Sequence, residues 1–166
     1  FTVYTNDEEI ISMLQLNCLN KETMKCSIYI NDVWVYKLCE NLKTIREENE
    51  YKTDSLAFAH WYLQNYYRLS EQDIAEALID GAGDLGIDSV IIDEDNQALI
   101  VMQYKLPSKK ENIGNEIDQG DILKTWNGFM TLISNDRPYT GNNTKFAEFK
   151  SQLENSIITH FRICFV

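Results

Sequence analysis

The sequence predicts an α/β (α+β) fold: a mixed central sheet flanked by helices, with an extra amino-terminal helical region. Three observations carry this. Residues 87–92 and 98–105 are rich in β-branched and apolar residues and flank the polar turn Asp93-Glu94-Asp95-Asn96, which reads as a hairpin. Segments on both sides of the hairpin repeat apolar residues at helical spacing. The chain then closes on an apolar run, Phe161-Arg162-Ile163-Cys164-Phe165-Val166, apolar enough to sit inside the sheet. The motif region, from the short helix that opens at Ser70, reads α–β–β–α–α–β. Residues 1–52 are expected to form a mainly helical extension and residues 53–166 the core.

Element by element, residues 6–19 look helical, with Asn6 or Asp7 as cap and an apolar stripe of Ile10, Ile11, Leu14 and Cys18. Residues 27–36 could form a hairpin about Asn31-Asp32. Trp34, Leu38, Leu42 and Ile45 instead fall at helical spacing, and a helix over 32–48 is preferred. A helix over 54–67 follows, capped by Asp54, with Leu56, Ala59, Leu63 and Tyr67 on one side. The aromatic residues around it (Phe58, Trp61, Tyr62 and Tyr66) are read as core rather than as base-stacking groups. Ser70-Glu71-Gln72-Asp73 resembles a capping box opening a short helix to Ile79, with Ile74, Ala77 and Leu78 toward the sheet. Beyond the hairpin, Pro107 opens a polar loop. A helix over 116–134 is expected to bury Ile122, Trp126, Phe129, Met130 and Ile133. Phe146, Phe149, Leu153 and Ile157 mark the next helix.

A length of 166 residues suits one domain, and 44% hydrophobic with 11% aromatic residues excludes a disordered chain. No apolar run approaches membrane-spanning length and no signal peptide is visible, so no membrane partner is expected. Cys18, Cys26, Cys39 and Cys164 lack metal-ligand or CxxC spacing; scattered cysteines of this kind are expected to be buried and reduced, in a cytoplasmic protein. His60 and His160 stand alone in sequence and read as core or surface residues rather than catalytic bases. The chain begins without Met and stops inside an apparent strand, so a piece of a longer protein is expected.

The chemistry gathers in Asp80-Gly81-Ala82-Gly83-Asp84-Leu85-Gly86-Ile87-Asp88 and, one hairpin later, Gln103-Tyr104-Lys105. Two glycines and two acids in residues 80–84 make a tight loop. Strand alternation puts Gln103 and Lys105 on one face with Val101 and Leu99, and Tyr104, Met102 and Ile100 on the other. An antiparallel hairpin brings Asp88 level with Gln103 and Lys105: an acid, an amide and an amine at one end of an apolar sheet. A Gln-x-Lys pair alone is weak. The ordered set of Gly-Asp-x-Gly-Ile-Asp, strand, turn, and strand ending in Gln-x-Lys is more specific.

This set resembles the Mrr-like branch of the PD-(D/E)xK nuclease superfamily, in which a Gly-rich Asp turn precedes the metal-binding Asp and Gln replaces the acid of the (D/E)xK strand. Residues 58–63 and 69–77 with the Asp-Gly turn also resemble the amino-terminal region of AIPR (abortive infection phage resistance) proteins. The likeness covers roughly residues 55–106 well, and the following helices and strand loosely. It implies a restriction-endonuclease-like core and a metal-dependent endonuclease, most readily of DNA with RNA left open, in a phage-defence or restriction-type protein. A homodimer is implied because superfamily members often act in pairs.

Carried onto this sequence, the resemblance makes Asp88, Gln103 and Lys105 catalytic and assigns Mg2+ or Mn2+ to Asp88, Gln103 and the Tyr104 carbonyl. Lys105 would orient or deprotonate the attacking water, or offset charge in the transition state. An amide is a weaker ligand than a carboxylate, so a further acid is expected from Glu76, Asp80 or Asp84. Asp80 and Asp84 also read simply as turn-capping residues. A net charge of −11 opposes DNA binding by charge alone, although lysines (Lys105, Lys109, Lys110 and Lys124) gather after the motif. It favours the alternative: a catalytically inactive, nuclease-derived nucleic-acid-binding or protein-interaction domain.

Overall fold

The computed structural model describes residues 26–79, 81–107 and 116–166, with side chains from residue 34 onward. It falls into two compact units, residues 1–44 and 45–166. The helix expected over 6–19 and the turn residue Asp80 lie outside the described residues, as does most of the loop after Pro107.

Helix α1 (Cys26–Glu48) runs through Asn31-Asp32, so the hairpin alternative is corrected and the helix begins ahead of residue 32. The i,i+4 contact from Tyr36 Oη to Glu40 Oε1, 2.8 Å, suits the helical spacing. Arg46 then turns the chain. Its guanidinium donates to the carbonyls of Tyr51 and Lys52 and to Asp54 Oδ1. Helix α2 (Asp54–Tyr62) is capped by Thr53 rather than Asp54, whose carboxylate is held by Arg46. It continues as a π-helical turn, Leu63–Tyr67, which ends on Arg68 in the left-handed region. Helix α3 (Glu71–Ala77) opens with the expected capping box between Ser70 and Asp73.

Strands β1 (Ser89–Asp93) and β2 (Ala98–Gln103) pair antiparallel, and β3 (His160–Phe165) pairs parallel to β2. The connection from β2 to β3 runs through α4 (Gln119–Ile133) and α5 (Thr144–Leu153). The sheet order is β1-β2-β3, which puts β3 at an edge with its first half exposed and not inside the sheet.

Alternation along β2 divides the core. Leu99 and Val101 enter a cluster with Val90, Ile87, Phe129, Leu132 and Phe146, under α4 and α5. Met102 and Tyr104 enter a second cluster with Ala59, Leu63, Ile74, Ala77 and Leu78, under α2 and α3. Helices thus cover both faces of a three-stranded mixed sheet. No described helix is long and apolar enough to cross a membrane.

Two expectations about side chains are revised. The buried stripe of α4 is Thr125, Gly128, Phe129 and Leu132, while Ile122 and Trp126 are exposed. The physical reason is close approach: a Cβ on Gly128 would stand 2.5 Å from the Leu85 carbonyl oxygen, so only glycine lets α4 rest on the loop before β1. Cys39 is exposed and Cys164 half-buried, so the cysteines are not uniformly interior.

Candidate active site at the end of the hairpin

Ile87 and Val90 both enter the same core cluster although they are three residues apart. Regular alternation therefore begins only at Ser89, and Asp88 occupies an irregular position just before the strand. Its main chain is held on both sides: its N–H donates to the Met102 carbonyl, and its carbonyl accepts from Ile79 N–H. The half-buried carboxylate then reaches across to β2, where Oδ2 accepts the Tyr104 main-chain N–H at 2.7 Å. Backbone polar groups alternate sides along an extended strand. The Gln103 carbonyl and the Lys105 N–H both bond Val166 on the β3 side, so Tyr104 turns its N–H and its carbonyl toward Asp88. Tyr104 points its ring into the opposite cluster, where its hydroxyl meets Ser89 Oγ at 2.9 Å.

The loop residues 81–88 are shaped by backbone constraints. Gly83 and Gly86 take positive φ, and Leu85 between them does so as well, at 54°. That conformation costs a leucine about 1–2 kcal/mol, and it brings Leu85 against Gly128 while Gly86 passes under Thr125. Asp84 fixes the turn by accepting the Gly86 N–H at 2.7 Å through Oδ1, and the same oxygen meets Lys124 Nζ at 3.2 Å.

Helix α4 meets each remaining member of the predicted group. Lys105 Nζ pairs with Asp121 Oδ2 at 2.8 Å, and both side chains are partly exposed. Gln103, only 4% exposed, meets Thr125, which is fully buried. The Thr125 hydroxyl carries one proton, yet three oxygens surround it: Gly86 O at 2.8 Å, Gln103 Oε1 at 2.9 Å and Asp121 O at 3.0 Å. The network closes when the Gln103 amide is turned, so that Nε2 donates to Thr125 Oγ1 and the hydroxyl donates to a carbonyl. In that arrangement Gln103 Oε1 has no hydrogen-bond partner among the described residues.

Charge follows geometry. Burial pushes the Asp88 carboxyl above the ordinary aspartate range, and the Asp84 carboxylate adds to that push. The Tyr104 N–H, Lys105 and Lys124 act against it. Asp84, Asp88, Lys105 and Lys124 therefore share one electrostatic neighbourhood.

Of the sequence-predicted residues, Asp84, Asp88, Gln103, Tyr104 and Lys105 thus come together. Glu76 has contacts elsewhere: it accepts from Gln72 Nε2 at 3.0 Å and lines a groove of about 510 Å3 beside Val90, Ile91 and Ile92 of β1. His60 is a core residue, as expected. It is buried between the Tyr51 hydroxyl, 3.0 Å from Nδ1, and Glu71 Oε2, 3.3 Å from Nε2. Asp121 and Thr125 are additions that sequence reasoning did not single out. Their i,i+4 spacing, with Gly128 three residues on, was the available signal.

Among the described residues, no three His, Cys, Asp or Glu side chains form a group able to hold a metal ion. The candidate oxygens at this end of the sheet are the Asp88 carboxylate, the Gln103 amide and the Tyr104 carbonyl. These are hard donors of the kind magnesium takes, and that ion routinely fills its remaining positions with water and substrate phosphate. The set fits in donor type and depends on a ligand for number. Comparison of the chain with family models, curated proteins and solved structures gives no match.

Proposed function

We propose that the chain is a divalent-cation-dependent endonuclease domain, with a restriction-endonuclease-like core, hydrolysing phosphodiester bonds in DNA. The observation that carries the reading is Asp88, an acid anchored on the main chain of the Gln103-Tyr104-Lys105 strand end, beside a lysine. Asp88, Gln103 Oε1 and the Tyr104 carbonyl would hold Mg2+ or Mn2+. Bound there, such an ion supplies Lewis acidity toward a phosphoryl oxygen and a more acidic water.

The protein's own groups have distinct tasks. Asp88 is oriented by the Tyr104 N–H. Gln103 is held by Thr125, 2.9 Å from its amide. Lys105 offers a cation to the water or to the charge that builds on phosphorus. The setting we propose is a cytoplasmic phage-defence or restriction-type protein acting as a homodimer.

The experiment is supercoiled-plasmid cleavage with Mg2+ or Mn2+, run beside Asp88→Ala and Lys105→Ala. We expect cutting by the parent chain that is lost in both variants and in chelator. Undiminished cutting by a folded Asp88→Ala chain would remove the proposal. The second reading, a nuclease-derived domain that binds without cutting, draws on the ion pairs Lys105–Asp121 and Lys124–Asp84. These leave the site's lysines neutralised, and the net charge of −11 works against DNA.

A further inference from the structure

Lys124 and Asp84 make the second of two ion pairs whose charges act on Asp88. The Asp84 oxygen that meets Lys124 also accepts the Gly86 N–H, so the acid is held by the turn whether or not the lysine stays. The lysine has no such anchor. It is more than half exposed, on a flexible stem, and Asp84 is its one polar partner among the described residues. An exposed pair of this kind is worth at most about 1 kcal/mol, so a stronger cation can replace the ammonium. A carboxylate anchored by backbone beside a second carboxylate suits a divalent ion, and an ammonium is its natural occupant when none is bound.

We propose, resting on the cation-dependent nuclease reading, that Lys124 is an exchangeable occupant. A divalent ion entering at Asp88 takes the Asp84 carboxylate from Lys124, and the released ammonium becomes a contact for substrate phosphate. No covalent change is involved; one carboxylate exchanges its cation and one cation gains an anion. Lys124 therefore competes with the metal when phosphate is absent and favours it when phosphate is present. Lys105 cannot take this part in the same way, because its partner Asp121 is on α4 rather than in the turn beside Asp88.

The test is calorimetric titration of Mn2+ into the parent chain and into Lys124→Gln and Lys124→Arg. Each is measured alone and with a short oligothymidine carrying phosphorothioate linkages, which resist cleavage. The same oligonucleotide with neutral methylphosphonate linkages is the control. Alone, Lys124→Gln is expected to bind Mn2+ tighter than the parent, by about two- to fivefold, the range an exposed pair gives. With the charged oligonucleotide, the parent and Lys124→Arg are expected to gain affinity for Mn2+. Lys124→Gln is expected to gain clearly less, and the neutral oligonucleotide to give no gain.

Equal or weaker Mn2+ binding by a folded Lys124→Gln chain overturns the exchange while leaving the nuclease reading intact. So does an oligonucleotide gain unchanged by Lys124→Gln. No Mn2+ uptake by the parent, with or without the oligonucleotide, overturns both.

Discussion

Asp88 Oδ2 lies 2.7 Å from the main-chain nitrogen of Tyr104, so the acid on one strand is tied to the backbone between Gln103 and Lys105 on the next. The bond fixes the acid's direction whatever happens to the side chains beside it. It also keeps the acid half-buried, next to a second carboxylate.

That placement has a cost visible in stability. Burial and Asp84 raise the Asp88 carboxyl above its unfolded value, so the folded chain holds this proton more tightly than the unfolded chain. The group's contribution is therefore best at acid pH and declines as pH rises through the carboxylate range up to the raised folded value. Asp88→Asn keeps an acceptor for the Tyr104 N–H and removes the charge. In metal-free buffer at about pH 7 the variant is expected to melt a few degrees above the parent, the advantage vanishing near pH 3. Thermal melts across that range check the sign.

Thr125 is the buried hydroxyl through which Gln103, Gly86 and the Asp121 carbonyl meet. Thr125→Val removes it at nearly constant volume and strands the Gln103 amide. Urea denaturation should show a loss of about 1–3 kcal/mol, with Thr125→Ser retaining most of the stability.

Helix propensity and packing make opposite forecasts for Gly128. Alanine would favour the helix by about 1 kcal/mol. Its Cβ would also press on the Leu85 carbonyl at 2.5 Å, where the neighbour is backbone and cannot step aside cheaply. Overpacking should win, so Gly128→Ala is expected to lower stability by about 1–3 kcal/mol. A more stable variant in the same denaturation experiment would show that α4 has room to move.

Ser70→Ala tests the start of α3. Ser70 Oγ accepts the Asp73 N–H and the Asp73 carboxylate accepts the Ser70 N–H. Losing the hydroxyl should cost about 1 kcal/mol, read as a lower melting temperature. A serine-to-aspartate change, which keeps a capping acceptor, should cost less.

The hairpin, the capping box and the grouping of Asp84, Asp88, Gln103 and Lys105 were legible because period-two patterning, turn residues and short spacings are local properties. The face of α4 was not. Ile122, Trp126, Phe129 and Ile133 make a credible apolar stripe, yet an adjacent stripe of Thr125, Gly128, Phe129 and Leu132 is the buried one. Small and polar residues won because the sheet end offers a carbonyl-lined surface that needs close approach and a hydroxyl, which hydrophobicity does not reveal. Trp126 still packs, its ring 5.7 Å from Phe129, which in turn meets Phe161 of β3. The edge position of β3 was hidden for a similar reason: its apolar residues are covered along only half its length. Glu76 illustrates a register limit, since a helix only seven residues long has about two turns, too few for its apolar pattern to fix which way Glu76 faces, and it lines the β1 groove.

The residues of α4 that touch the site are 121, 124, 125 and 128, all within two turns of one helix. Their spacing works as a ruler. Inserting a single residue between Asp121 and Lys124 would rotate every later position by about 100° and separate Asp121 from Lys124, Thr125 and Gly128 at once. An extra residue ahead of the Asp118 cap would leave the ruler's spacing untouched. Tolerance to changes in chain length should therefore drop abruptly where α4 begins, and that boundary can be mapped by scanning one-residue insertions through residues 116–130.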